Sequence, residues 1–273
     1  MLEMPESNVI ASQLRDHLLG RRVTHVVAAS PHKFAFYTGD PQLYPSLLEG
    51  LSITDAKAYG GIVEIELDDM RFEFGDGATI RYLPPGTEPP EKHHLLFRLD
   101  DGSHLMWTIQ MYGGLGAFKS GTNDNPYYLV AKEKPSPLTD AFDQAWFDSL
   151  VSATSPKASV KAFLATEQRI PGLGNGTLQD ILFNARLNPR RKLSELDDAQ
   201  LEKLYGCTVD TLRTMTAAGG RDTEKDLFGE PGGYRTLLSS KTYKDPCPVC
   251  GQEIIRQAYL GGNVYFCPGC QPL

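Results

Sequence analysis

The hydrophobic pattern of this chain changes period once. Residues 7–19 carry Val9, Ile10, Leu14 and Leu18 at helical spacing, with Ser7 or Asn8 as a cap and Gly20 as a stop, which predicts an N-terminal helix. From there to about residue 130 the apolar positions fall in short, strand-like runs. Val23–Ala28, Phe34–Tyr37, Ile62–Leu67, Arg71–Phe74, Thr79–Leu83, Leu95–Leu99 and Leu105–Gln110 are predicted strands. Turn signals such as Asp68-Asp69, Gly75-Asp76-Gly77 and Asp100-Asp101-Gly102 separate them. Short strands at that spacing predict a sandwich or barrel. Lys132–Pro137 reads as a linker, and beyond it the period becomes 3.6. Helices are predicted over Leu138–Leu150, Ser159–Leu164, Gly176–Ala185 and Asp197–Ala218, the last as one helix or two. Gly219–Ser240 is glycine-rich and without periodicity.

The chain ends on Cys247-Pro248-Val249-Cys250 and Cys267-Pro268-Gly269-Cys270, two Cys-x-x-Cys pairs with 16 residues between them. Four thiolates at this spacing can surround one zinc ion tetrahedrally. Glu253–Arg256 and Asn263–Phe266 read as the two strands of a hairpin, with Gly261-Gly262 near its turn. The competing interpretation is a pair of disulfides in a secreted protein. The fold class expected is therefore α+β and multidomain. An N-terminal helix and β-sandwich occupy 1–134, a helical domain 135–240, and a hairpin held by one structural Zn2+ 241–273.

Composition narrows the setting. Four of the five cysteines are committed to metal, leaving Cys207 as an expected buried thiol. No apolar run has the length of a membrane span, and residues 1–20 are charged and amphipathic rather than signal-like. A cytoplasmic monomer with no membrane partner and no nucleotide cofactor is expected. The formal charge of −7 argues against a polyanion partner on average. Arg186, Arg190, Arg191 and Lys192 nevertheless form a compact basic group, with Lys157 and Lys161 upstream, so one face of an acidic chain is expected to be basic.

Ile170-Pro171-Gly172-Leu173-Gly174-Asn175 lies between two predicted helices. Its glycines permit a tight turn, and Asn175 falls at a helix N-terminus, where free amides attract an anion such as phosphate. By itself such a turn is more often a plain connection. Here Lys161 precedes Asn175 by 14 residues, and Leu182-Phe183-Asn184-Ala185-Arg186-Leu187-Asn188-Pro189 follows it. Together with the cysteine knuckles, this resembles the formamidopyrimidine-DNA glycosylase and endonuclease VIII family. That family carries a Gly-Ile/Val-Gly-Asn turn in a helix–two-turn–helix. Gly219-Gly220, Gly232-Gly233-Tyr234 and Tyr243 extend the resemblance, as do Glu3, Pro5, Glu6, His17, Lys57 and Glu88–His93, so that it spans essentially the whole chain.

The resemblance implies a protein that bends duplex DNA, flips a damaged base into a pocket between two domains and removes it. An N-terminal proline amine attacks the sugar C1′, and elimination nicks the strand, with the adjacent Glu supplying acid–base chemistry. It further implies that Lys57, Lys161, Gly174 and Asn175 contact DNA, and that Cys247, Cys250, Cys267 and Cys270 hold the zinc.

The chain departs from that pattern where the chemistry lies. Leu2 stands in place of the proline, so Met1 is expected to be retained and the secondary amine to be absent. The turns that supply base-replacing side chains become Gly75-Asp76-Gly77 and Ile109–Gly114, leaving Met111 or Tyr112 as wedge candidates. Gly262 or Asn263 stands where the hairpin arginine belongs. The expected function is that of a DNA-repair type protein that binds damaged or distorted DNA with its Schiff-base chemistry lost or altered. Two alternatives stand beside it. One is an active glycosylase/lyase using the Met1 amine or a water activated by Glu3; the other is a non-catalytic protein-interaction scaffold.

Overall fold

Helix α1 (Met4–Leu18) ties the molecule together, because its side chains enter two cores. The structure, a computed structural model, describes residues 2–28, 36–109 and 112–273, with Phe36 described by its backbone. Ile10, Ala11, Leu14 and Leu18 of α1 pack into the β core, while Met4 belongs to the helical core. The helix begins three residues before the predicted start. Its N-cap is Glu3, and Pro5 sits in the first turn, where its missing N–H costs no hydrogen bond. Ser7, expected as the cap, is instead buried, with its hydroxyl 2.5 Å from the Gly60 carbonyl.

The β region comprises β1 (Val23–Ala28), β2 (Phe36–Thr38), β3 (Ile53–Tyr59), β4 (Ile62–Leu67), β5 (Met70–Phe74), β6 (Ala78–Leu83), β7 (Leu95–Leu99), β8 (His104–Ile109) and β9 (Gly114–Lys119). They form one sheet in the order β1-β7-β8-β6 and a second in the order β2-β9-β5-β4-β3, antiparallel except where β2 runs parallel to β9. Phe72, Phe74, Phe97 and Trp107 meet edge-on or tilted in the shared core, with ring centroids 4.7–6.4 Å apart. Such aromatic contacts add to the burial of large apolar surface. The sequence did not predict β3 or β9. In β3 only Ile53 and Ala56 are fully buried, so its alternation is weak, and β9 contains two glycines. Part of the predicted Phe34–Tyr37 strand, and Gln110 at the end of Leu105–Gln110, lie outside the described residues.

Helices α2 (Tyr44–Leu48) and α3 (Pro126–Glu133) were also not predicted. Lys132 therefore belongs to α3 rather than to a linker. Asn125 caps that helix, its Oδ1 accepting from the Tyr127 amide at 2.9 Å. The remaining helices are α4 (Gln144–Ser152), α5 (Val160–Ala165), α6 (Asn175–Ala185) and α7 (Asp198–Ala217). Helix α4 starts later than the predicted Leu138, where Asp143 caps it through the Trp146 amide. The Asp197–Ala218 region is one helix. Strands β10 (Ile255–Tyr259) and β11 (Gly262–Phe266) form the C-terminal hairpin.

Gly219–Ser240 is a strap that returns to the β region. Leu227 is buried in the β core, and its carbonyl accepts from the Tyr82 amide at 2.9 Å. Gln13 of α1 holds Asp226 and the Leu227 amide, and Phe228 packs edge-on against His17 and Tyr82. No helix among the described residues is long and apolar enough to cross a membrane.

Candidate nucleic-acid interface and metal centre

Two glycine turns bring the β and helical regions into backbone contact. Gly60, between β3 and β4, and Gly172, before α6, both have positive φ. A Cβ on Gly172 would stand 2.3 Å from the carbonyl carbon of Gly60, so no side chain fits there. The Met4 amide donates to the Gly172 carbonyl at 2.8 Å. This contact delivers Glu3 to the start of α6.

Glu3 is buried, and its carboxylate accepts four hydrogen bonds. They come from the amides of Gly174 (3.2 Å), Gly176 (2.8 Å) and Thr177 (2.8 Å) and from the Thr177 hydroxyl (2.7 Å). The Arg221 guanidinium lies 3.5 Å away. Burial pushes the carboxyl pKa up, but Arg221, the Thr177 hydroxyl and the α6 amides outweigh it and hold Glu3 below the usual carboxylate range. Arg221, itself buried, also forks onto Glu6 at 2.8 and 2.9 Å. Its guanidinium crosses Gly176, where a Cβ would clash with Nη1. The helix N-terminus read from the sequence as a phosphate site is thus filled by the chain's own carboxylate. Arg221, Thr177 and Glu6's pairing were missed because partners 170 or more residues apart leave no local pattern.

The four cysteine Sγ atoms lie within 4.8 Å of one another, with Cys247–Cys270 at 3.7 Å and Cys250–Cys267 at 3.3 Å. Four sulfurs at about 2.3 Å from a central ion in a tetrahedron would be roughly 3.8 Å apart, so the donor set fits a metal and the spacing excludes disulfide bonds. The hairpin docks on α6 through Gln179, which donates to the Asn263 carbonyl (3.1 Å) and accepts from the Tyr265 amide (3.0 Å). Lys161 donates to the Tyr259 carbonyl. At the tip, a Cβ on Gly262 would lie 2.3 Å from Nδ2 of Asn175.

Between the two regions lies a pocket of about 470 Å3, lined by residues including Leu2, Glu73, Phe74, Asp76, Tyr112 and Tyr127. Glu3 forms part of its wall and also borders a smaller cavity with Asn175, Arg221 and Asn263.

The family model described as the formamidopyrimidine-DNA glycosylase N-terminal domain matches residues 1–137. The chain belongs to the formamidopyrimidine-DNA glycosylase family. A formamidopyrimidine-DNA glycosylase of Symbiobacterium thermophilum is 30% identical over 289 aligned positions, covering 100% of this chain and 90% of the relative. The crystal structure of the MutM (Fpg) protein of Thermus thermophilus is 25% identical, with a TM-score of 0.81 over 98% of each chain. In fold the chain also matches a Lactococcus lactis Fpg in complex with DNA containing an abasic site. There the TM-score is 0.86 at 22% identity, over 99% of this chain and 100% of that one.

Of the residues expected from the formamidopyrimidine-DNA glycosylase resemblance, Glu3, Gly174, Asn175, Lys161 and the hairpin tip come together. Gly174 spends its amide on Glu3, and Lys161, nearly inaccessible, spends its ammonium on the hairpin, with burial lowering its pKa. Lys57, on β3, stands apart and pairs with Glu66 and Asp55, so its charge is locally offset. Met1 and Met111 lie outside the described residues. Tyr112 is 61% exposed at a φ of +57°. Cys207 is half-buried rather than fully buried, and burial raises its pKa. Glu73, which the sequence reading did not single out, reaches the pocket from β5.

Proposed function

We propose that this family member binds duplex DNA at damaged, abasic or distorted nucleotides. In this reading the four-cysteine centre holds zinc, and the Schiff-base route of the family is lost or altered. What best supports it is the convergence of the docked hairpin, Asn175 and the Glu3 wall beside a pocket of base-accepting size. Asn175 and the hairpin tip offer polar contact to a backbone, while Tyr112, exposed at the pocket mouth, is suited to enter a base stack.

The loss of chemistry rests on two residues. Leu2 replaces the proline whose amine the family's reaction uses. Glu3 is a poor substitute base for activating water: its lone pairs are occupied by four hydrogen bonds, and its pKa is depressed.

The test is binding to a duplex with a stable abasic-site analogue over a salt series, paired with borohydride trapping on a reactive abasic site. The N-terminus is verified by mass. Binding that weakens steeply with salt and yields no covalent adduct is expected. Absence of binding at low salt would reject the DNA reading, and a trapped adduct would restore the amine chemistry.

A further inference from the structure

Glu73 is a carboxylate that the base pocket does not neutralise. It is 93% buried by its 7% exposure, and Oε1 accepts from the Thr38 hydroxyl at 3.1 Å. Oε2 and Nδ2 of the neighbouring Asn123 make no hydrogen bond of good geometry, though Asn123 lies close enough to favour the charged carboxylate against burial. Asp76, exposed on the β5–β6 turn, lines the same pocket; burial raises the pKa of Glu73, and partial desolvation raises that of Asp76. Glu3 makes a third acid in the wall, but Arg221 offsets it. No Lys, Arg or His lines the pocket among the described residues. Its aromatic lining residues are Phe74, Tyr112 and Tyr127, with Leu2, Ile62 and Leu173 as apolar neighbours.

Carboxylates in the lining beside aromatic residues, with Lys132 acting on Glu73 only from outside the lining, disfavour anions and favour a planar cation through both carboxylate and cation–π attraction. Resting on the DNA-binding reading above, we propose that the pocket receives a nucleobase made cationic by alkylation of a ring nitrogen. Phosphates are kept outside by the same acids. The chemistry of such a base also suits a chain without the proline amine. When the C1′–N bond breaks, its electron pair passes to the ring and the base leaves neutral. Water supplies the new C1′–O bond, and its proton goes to a pocket carboxylate. A good leaving group of this kind needs no strong nucleophile.

The experiment compares duplexes that differ at one position: guanine, 8-oxoguanine, or 7-methylguanine on a 2′-fluoro sugar that suppresses spontaneous depurination. Affinity is measured for the full-length protein and for its Glu73→Gln and Asp76→Asn variants. The 7-methylguanine duplex should bind about tenfold more tightly than the other two, a ratio within the range of a desolvated cation–π contact. Each variant should reduce that ratio, taken against the same variant's affinity for the guanine duplex, to about threefold or less. Asp76 lies on an exposed turn, so its variant decides the matter if Glu73→Gln fails to fold. Equal affinity for cationic and neutral bases, or an undiminished ratio in the variants, would overturn this inference and leave DNA binding intact. Failure to bind any of the three duplexes would overturn both.

Discussion

Gly262 at the hairpin tip and Asn175 at the start of α6 are packed so closely that a single added carbon on the glycine would lie 2.3 Å from the asparagine Nδ2. If the expected hairpin arginine's place falls on Gly262 rather than Asn263, a side chain there meets Asn175. Gly262→Arg should not simply restore a phosphate contact. It should push the Asn175 amide aside and loosen the hairpin's seat on α6, at a cost near the low end of the roughly 1–3 kcal/mol range for overpacking, because the atom met is the end of a side chain. Amide hydrogen exchange in β10 and β11 should accelerate, and pairing the change with Asn175→Gly should reverse the effect. Unchanged exchange in the single variant would show that the side chain finds another path.

Arg221 satisfies two buried carboxylates at once. Arg221→Met should leave Glu3 and Glu6 without their cation and destabilise the protein by about 3–5 kcal/mol, the range for breaking a buried pair. Arg221→Lys should recover only part of this, because an ammonium cannot fork onto Glu6 while reaching Glu3. Denaturant unfolding of the three proteins checks both statements. A lysine variant as stable as the parent would mean that charge alone suffices.

The depressed pKa of Glu3 carries a pH signature. Because the folded value lies below the unfolded one, near 4.3, its contribution is fully present above about pH 4.3. It is lost as pH falls from there through the folded pKa. In Glu3→Gln the fall in unfolding free energy below about pH 4.3 should be shallower than in the parent. Superimposable pH profiles would remove Glu3 from the linkage.

Metal removal should act locally at first. The hairpin core is small, with Phe183, Leu238, Ile254 and Tyr265 around the cysteines, so metal binding supplies much of its folding energy. A chelator should release one zinc per chain and unfold β10–β11 before the β region melts. A single transition in calorimetry of the chelated protein, with no earlier hairpin signal, would contradict this.

Much of the framework was legible because it is written in local pattern. The cysteine knuckles, the strands with strong alternation and the Gly172–Asn175 turn each need only neighbours in sequence. What stayed hidden depends on distance. Glu3 read as an acid–base group, and its engagement by α6 appears only when Gly60 and Gly172 touch. Lys161 and Lys57 look alike as motif lysines, yet one is buried under the hairpin and the other is paired with two acids at a sheet edge. Strands β3 and β9 escaped notice for a different reason: edge exposure and glycine erase the alternation that marks a strand.

The strap through Leu227 has a mechanical consequence. The helical half is anchored to the sandwich by α1 and the glycine turns on one side and by Leu227 on another. Prying the halves apart would draw Leu227 out of the core, at roughly 1.5–3 kcal/mol for that side chain alone. Opening between the halves thus carries that cost. In a complex with DNA the strain of fitting falls on the double helix, and the easiest sites to grip are those where stacking is already broken.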